Sequence, residues 1–135
     1  MLQYRFIDSV KKEGAKIAFI DRTTEREISF NQALIAGLIL AKRFKKLERG
    51  RIGIMLPTSG GAGLAVLGSV MANLTPVMIN YSTGAKQNCQ YAQQECDFKT
   101  IITTRALLAK VDCPLLPEML LIEDILASLS SLEKI

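Results

Sequence analysis

The stretch that decides the fold covers residues 51–80, RIGIMLPTSGGAGLAVLGSVMANLTPVMIN. It predicts a buried strand at residues 52–56, a glycine-containing turn, a small-residue helix at about residues 62–73 and a second buried strand at residues 76–79. Two apolar runs joined by a helical stretch form a βαβ unit, which crosses over right-handed and lays two parallel strands side by side. This unit indicates an α/β fold.

The bulk composition narrows the class of protein. The chain has 135 residues, of which 49% are apolar, so it is long enough to bury the core of one domain. Its longest apolar run, residues 33–41, is about half of what a membrane span needs and therefore predicts a buried helix. The N-terminus is amphipathic and carries charges where a secretory signal is apolar. We expect one cytoplasmic domain spanning residues 1–135.

Cysteine and histidine content excludes several kinds of site. Cys89, Cys96 and Cys113 lack a metal-binding spacing, and the chain contains no histidine. Triad hydrolases and histidine-ligated zinc sites are therefore excluded within this chain. Cys89 and Cys96 lie about two helical turns apart, too far for one disulfide or one metal ion, so they are predicted to pack as small apolar residues. Glu123 and Asp124 are predicted to point to different sides of their element, without a catalytic role.

The residues before the central unit predict a helix, a hairpin and a second helix. The first helix ends near Gly14, and its apolar stripe consists of Leu2, Phe6 and Val10. Residues 16–21 and 26–29 flank a polar turn and predict a β-hairpin. Ser29 and Gln32 form the sequence of a capping box, so a second helix is predicted to begin there. Its predicted buried face consists of Phe30, Leu34, Leu38, Ala41 and Phe44, widened by Ile35 and Ile39.

Beyond the central unit, helical stretches and apolar strands continue to alternate. The predicted elements are a helix at residues 85–96, a strand at 100–103, a short helix at 104–110, a strand at 119–122 and a helix at 124–132. Four nearly continuous apolar strands argue for a parallel sheet that is covered on both faces. The predicted fold class is α/β: an N-terminal helix and β-hairpin, then a mostly parallel, doubly wound sheet with helices on both faces.

The glycine-containing turn, residues 57–63 (PTSGGAG), has two interpretations. It follows a strand and opens a helix, where free backbone N–H groups favour a phosphate. It matches neither GxGxxG nor a Walker sequence, so the favoured interpretation is structural: the glycines permit a tight turn and let the helix approach the sheet, with Gly63 and Gly68 on the small face. A stand-alone nucleotide-binding module that uses Gly60 to Gly63 is the alternative.

A cluster of cations follows in the last turn of the second helix and the loop after it. Such a cluster attracts nucleic acid, an acidic carrier protein or anionic lipid, or is simply a solvated helix end. The solvated end is favoured because exposed aromatic residues do not interleave with the cations, and we expect no nucleic acid partner. Docking of an acidic carrier protein stays open as an interaction-module alternative. The cations are Lys42, Arg43, Lys45, Lys46, Arg49 and Arg51.

Several segments resemble the motifs of AMP-forming acyl ligases, in the same order. Residues 26–34 (REISFNQAL) resemble the family's x-L-T/S-Y-x-E-L start, and residues 51–59 (RIGIMLPTS) its V-G-I-x-L-P-N-S strand and turn. Residues 67–80 are similar to the L-A-x-x-x-A-G-x-x-x-V-P-I-N helix and strand that follow. Asn73 departs from the usual glycine, and Gln32 from the usual glutamate. Residues 100–105 and 120–125 resemble the next two strands.

The resemblance extends to one subgroup. Residues 75–86 (TPVMINYSTGAK) and 99–105 (KTIITTR) look closest to bacterial acyl-[acyl-carrier-protein] synthetases, including those joined to 2-acylglycerophosphoethanolamine acyltransferases. The resemblance implies a parent enzyme that activates a fatty acid with ATP through an acyl-adenylate and transfers it to the thiol of acyl carrier protein or coenzyme A. Its location would be cytoplasmic, with membrane association only through fused segments. The sequence does not indicate an oligomeric state.

The same resemblance implies that the reactive parts lie elsewhere. The family's phosphate loop, its ribose-binding acid, its hinge and the domain with the catalytic lysine would all follow Ile135. ATP and Mg²⁺ are therefore expected in the parent enzyme and not on this chain. No residue of the chain is assigned a catalytic, cofactor-binding or metal-binding role. The chain by itself is expected to be inactive, as a scaffold that contributes part of the wall of the acyl pocket.

Overall fold

The structure is a computed structural model that describes residues 1–129. Helices and strands alternate along nearly the whole of this range. In chain order the elements are α1 (Leu2–Glu13), β1 (Ile17–Asp21), β2 (Arg26–Ser29), α2 (Phe30–Leu47), β3 (Arg51–Ile54), α3 (Gly60–Met71), β4 (Thr75–Met78), α4 (Ala85–Cys96), β5 (Ile101–Thr103), α5 (Arg105–Lys110), β6 (Met119–Leu121) and α6 (Ile122–Ala127).

Strands β3 to β6 form one parallel sheet in the order β4-β3-β5-β6. The β3–α3–β4 crossover steps outward from β3, and the chain then returns past β3 to place β5 on its other side. The switch point of the topology therefore lies between β3 and β5, and right-handed crossovers place helices on both faces. The predicted doubly wound α/β fold is confirmed.

The two faces of this sheet carry separate apolar clusters. Ile101 and Met55 pack with residues of α4, such as Cys89, on one face. Ile52 and Ile54 pack with α2 and α3 on the other face. Both faces of β3 are therefore buried, as a central parallel strand requires. Strand β4 was predicted to be buried as well, but it lies at the edge of the sheet, and its terminal residues are exposed.

The N-terminal hairpin is confirmed as a separate two-stranded antiparallel sheet. Its register runs from Ile17 opposite Ser29 to Asp21 opposite Arg26. Helix α1 leads into it and ends at Glu13, as predicted, and the Phe6 ring lies 5.8 Å from that of Phe30 between ring centroids.

Helix α2 has the predicted capping box, but of its predicted buried face only Ala41 and Phe44 are buried. The Ser29 hydroxyl accepts from the N–H of Gln32 (3.2 Å), and the Gln32 side chain accepts from the N–H of Ser29 (2.9 Å). Contrary to the prediction, Ile35 and Leu38 are each 53% exposed. Packing against α3 uses small residues, because a Cβ on Gly37 would stand 3.0 Å from the Leu67 side chain. The buried residues of α2 are Ala33, Gly37, Ala41 and Phe44.

Several predicted bounds shift by a few residues. Helix α3 begins at Gly60, two residues earlier than predicted, because Ser59 caps it and draws the glycines into the first turn. Helix α6 begins at Ile122 and ends at Ala127, whereas the prediction was residues 124–132. Residues 130–132 of that prediction lie outside the described residues. Among residues 1–129, no helix has both the length and the apolar character needed to cross a bilayer.

Candidate functional site

The glycine-containing turn lies at the carboxyl edge of the parallel sheet, because it connects the end of β3 to the start of α3. An α-helix leaves its first N–H groups unpaired, which is why phosphates bind there. Here the N–H of Gly60 donates to Asp21 Oδ2 (3.0 Å), and the N–H of Ala62 donates to Ser59 Oγ (3.2 Å). A carboxylate and a hydroxyl of the chain itself thus occupy positions that a phosphate would take.

Asp21 is the acceptor that links the hairpin to this turn. Its other oxygen, Oδ1, accepts from the N–H groups of Thr23 (3.0 Å) and Thr24 (3.2 Å), and the residue is only 8% exposed. The N–H of Gly60, followed by that of Thr24, lowers the pKa of Asp21 below its usual value. Its negative charge also complements the positive end of the α3 dipole. Asp21 is therefore an ionised cap contributed by a distant segment.

The glycines of α3 serve close packing, which agrees with the structural interpretation. A Cβ on Gly63 would stand 2.6 Å from Phe19 Cε1 in the hairpin, and one on Gly68 would stand 2.6 Å from Leu40 Cβ in α2. The glycines were predicted to let the helix approach the parallel sheet. That prediction is wrong, because Gly63 and Gly68 face the hairpin and α2 instead. A Cβ on Gly61 would meet only Ser59 Oγ, at 3.7 Å.

An apolar groove lies beside this turn. It has a volume of about 480 Å³ and is bordered by α1, the hairpin, α3 and the edge strand β4. The side chains of Leu2 and Met78 at its rim are 60% and 59% exposed. Among residues 1–129, no charged residue lines it. The groove therefore offers apolar contact and brings no group suited to acid–base chemistry.

Cys89 and Cys96 pack in the apolar cluster beside α4, as predicted, and Cys113 belongs to the same cluster. All three thiols are free. Burial raises the pKa of the Cys89 thiol to about 11, with a smaller effect of Cys113, and burial raises the pKa of Cys113 as well. Such thiols are not nucleophilic at neutral pH. Within residues 1–129, no three histidine, cysteine or acidic side chains converge in a way that would hold a metal ion.

Glu123 and Asp124 both contact Arg105, one at its backbone and the other at its side chain. Glu123 Oε2 accepts from the backbone N–H of Arg105 (3.2 Å), and Asp124 Oδ1 lies 3.9 Å from Arg105 Nη2. Residues adjacent in a helix differ by about 100° in direction, so Glu123 reaches the backbone of Arg105 while Asp124 faces its guanidinium group. These contacts connect α6 to the start of α5 and are structural.

A basic cleft of about 430 Å³ lies at the amino edge of the sheet, since its residues precede β3 and β5. We call it the amino-edge cleft. Glu48 in its wall accepts from the backbone N–H groups of Lys99 and Thr100 through Oε1, which joins the two loops. Arg51 points elsewhere and donates to the Cys96 carbonyl (3.1 Å). The cations that line the cleft are Lys45, Lys46, Arg49 and Lys99.

Sequence analysis missed three of these residues, Asp21, Glu48 and Lys99. The Asp-Arg-Thr-Thr order that begins at the last residue of β1 is typical of a side chain that accepts from the backbone two and three residues on, which was a usable signal for Asp21. Its contact with Gly60 spans 39 residues, and that of Glu48 with Lys99 spans 51. Local patterns carry no information on such pairs.

Comparison with known proteins gives a consistent likeness of fold. No protein-family model matches the chain. The nonribosomal peptide synthetase FmoA3 in its α-methyl-L-serine-AMP-bound form superposes with a TM-score of 0.78 at 13% identity, over 96% of this chain and 15% of that one. The N-terminal domain of FACL13 from Mycobacterium tuberculosis gives 0.76 at 12% identity, over 96% and 36%. A fatty acyl CoA synthetase from the same organism gives 0.77 at 11% identity, over 96% and 28%.

The chain therefore has a fold that recurs within acyl-CoA synthetases and nonribosomal peptide synthetases. It spans between 15% and 36% of the length of these three chains. At identities this low the likeness concerns the fold, and activity has to be argued separately.

Proposed function

We propose that this chain is the N-terminal part of an AMP-forming ligase. The observation that carries the proposal is the shared fold over 96% of the chain with proteins whose names include a fatty acyl CoA synthetase. The order of the motif-like segments at residues 26–34, 51–59 and 67–80 adds to it. These segments cover β2 with the start of α2, β3 with the turn after it, and the α3–β4 step.

The proposed reaction of the whole enzyme is activation of a fatty acid with ATP to an acyl-adenylate, followed by transfer to a thiol. The resemblance of residues 75–86 and 99–105 to acyl-[acyl-carrier-protein] synthetases supports a fatty acid over an amino acid as the substrate class. The acceptor is the thiol of acyl carrier protein or of coenzyme A.

Residues 1–129 do not fit ATP or Mg²⁺. The start of α3 already holds the carboxylate of Asp21, and residues 1–129 present no acidic cluster able to hold a metal ion. Adenylation needs positive charge placed against the phosphoryl group. The cations of the amino-edge cleft lie at the edge of the sheet opposite to the switch-point crevice where α/β folds bind ligands. We therefore assign ATP and Mg²⁺ to other parts of the parent enzyme, and to this chain a scaffold role.

Pyrophosphate release tests the proposal. The 135-residue chain mixed with ATP and a fatty acid should release none, whereas the polypeptide encoded by the whole reading frame should catalyse fatty-acid-dependent exchange of pyrophosphate into ATP. Serine in place of the fatty acid is the control for substrate class. Exchange with serine but not with the fatty acid would show that the substrate is an amino acid. Absence of exchange with both acids would refute the proposal that the chain belongs to an AMP-forming ligase.

Nucleotide titration separates this proposal from the stand-alone nucleotide-binding module. The contacts of Asp21 and Ser59 at the start of α3 argue against that module. Gly61→Val is a sharp probe, because space around Gly61 is open and the substitution alters the turn without a clash. Micromolar binding of ATP to the chain that is lost in Gly61→Val would establish the module instead.

A further inference from the structure

One side of α2 carries exposed apolar and basic side chains. Ile35, Leu38, Lys45 and Lys46 lie within an arc of about 100° on this helix and are all exposed. The buried residues of α2 are Ala33, Gly37, Ala41 and Phe44. We call the first four residues the α2 outer face. It is apolar in its N-terminal half and basic in its C-terminal half.

The apolar half of this face consists of two aliphatic side chains that are each about half-exposed. Ile35 and Leu38 are neighbours on the helix surface, three residues apart, and each is 53% exposed. Both belong to the predicted core face of α2, yet α3 packs against the glycine side instead. The structure therefore presents two adjacent aliphatic side chains to whatever lies outside α2.

The basic half continues into the amino-edge cleft. Lys45 and Lys46 lie beside Arg49 and Lys99, and all four side chains are exposed. Within residues 1–129, no ion pair involves any of these four cations. Helix α2 itself contains no acidic residue. Two carboxylates line the cleft: Glu48 is held by backbone N–H groups, and Asp97 lies on its rim.

A lipid interface matches this combination better than the other anionic partners do. Phosphate groups of a bilayer lie within a few ångströms of its acyl region, so cations and aliphatic side chains on one convex helix face can both be satisfied. A nucleic acid would engage the cations and leave Ile35 and Leu38 in water. An acidic protein would need an apolar patch of its own at a fixed distance from its carboxylates.

We propose that the α2 outer face, together with the amino-edge cleft, binds the surface of an anionic bilayer. This interaction is peripheral and reversible, since each cation near such a surface strengthens partitioning by only about fivefold. It goes beyond the proposed ligase activity, because it requires neither ATP nor an acyl substrate. It also replaces the expectation that membrane association occurs only through fused segments.

Vesicle sedimentation with the full 135-residue chain tests this directly. The probes are vesicles of phosphatidylcholine alone and vesicles in which one third is phosphatidylglycerol. The chain should sediment with the anionic vesicles at low salt and should be released as salt shortens the range of the electrostatic attraction. Absence of sedimentation with anionic vesicles at low salt, or equal sedimentation with both kinds, would overturn the proposal.

Paired variants locate the surface. Lys45→Gln with Lys46→Gln should weaken partitioning by about 25-fold, as two lost cations predict. The matched control is Lys11→Gln with Lys12→Gln in α1, which removes the same charge from another exposed site and should change partitioning less than threefold. Equal losses in the two pairs would mean that net charge alone drives binding and would overturn the assignment to α2.

A second pair tests the apolar half. Ile35→Ser with Leu38→Ser should weaken partitioning by about tenfold, because two half-exposed aliphatic side chains no longer enter the interface. Ile20→Ser with Leu115→Ser is the control, since those residues are 59% and 60% exposed elsewhere. Circular dichroism verifies folding, and if the serine pair unfolds, the lysine pairs decide by themselves. Saturable binding of an acidic carrier protein without vesicle binding would assign the face to a protein partner and refute the lipid proposal.

Discussion

The two edges of the parallel sheet differ in how their polar and charged groups find partners. At the carboxyl edge, N–H groups at the start of α3 are paired within the chain by Asp21 and Ser59. At the amino edge, Lys45 and Lys46 extend into solvent without an ion pair inside residues 1–129. The carboxyl edge resembled a ligand site in the sequence, but its N–H groups are paired within the chain. The amino edge resembled an ordinary solvated helix end, and its lysine side chains are exposed.

The sequence of a turn therefore does not reveal whether its backbone N–H groups are free to bind a ligand. A glycine-containing turn at a helix N-terminus binds anions only if no side chain of the protein reaches it first. In this chain a hairpin 39 residues earlier supplies that side chain. Four variants test this difference between the two edges.

Gly63→Leu should cause the largest loss of stability. The new side chain would start 2.6 Å from the Phe19 ring and would push the hairpin away from α3. We expect a loss of about 2 kcal/mol in the free energy of unfolding, measured by urea denaturation. Gly61→Leu is the matched control in the same turn of α3, and it should stabilise by about 0.5 kcal/mol, because its space is open and glycine disfavours helices. Equal effects would show that the hairpin is not packed tightly against α3.

Asp21→Ala should give a smaller, pH-dependent loss. The folded-state pKa of Asp21 is lowered relative to 3.8, so its stabilising effect is fully present above that value and disappears as pH falls through the folded-state pKa. The difference in urea midpoint between the native chain and the variant should therefore be full at pH 7 and shrink below about pH 4. Asp8→Ala, at an exposed position of α1, is the control and should leave the midpoint nearly unchanged. A pH-independent difference would mean that the charge of Asp21 is not what stabilises the turn.

Glu48→Ala should destabilise the amino edge by about 1 kcal/mol, because two backbone N–H groups lose a charged acceptor but gain access to water. Amide hydrogen exchange at Lys99 and Thr100 should speed up with it. Glu95→Ala, an exposed acid in α4, removes the same charge and should cost less than about 0.5 kcal/mol. Unchanged exchange at Thr100 would contradict the contact.

Lys45→Gln with Lys46→Gln should have the smallest effect on folding. Lys45 and Lys46 are exposed and form no ion pair within residues 1–129, so the free energy of unfolding should change by less than about 0.5 kcal/mol. Thermal and urea denaturation measure it. A loss above about 1 kcal/mol would show that these lysines hold the fold together and would remove the contrast between the two edges.

Prediction from sequence succeeded where the signal is local. The βαβ rhythm, the Ser29–Gln32 capping box and the small face of α4 all depend on residues a few positions apart. It failed at Ile35 and Leu38, since helical periodicity marks an apolar side but does not tell which side the neighbouring helix will approach. Gly37 and Gly68 decided that approach, because they let α2 and α3 come close along a different line.

The amino-acid sequence by itself determined the order of helices and strands, their parallel pairing and the absence of histidine chemistry, because these follow from short-range patterns and composition. Only the tertiary structure decided which polar groups are paired and which surface is open. Asp21 reaches Gly60, and Lys99 joins the lysines of α2, through contacts between segments far apart in the chain. Such contacts depend on how whole elements pack, and packing is settled by the shapes of all the side chains together.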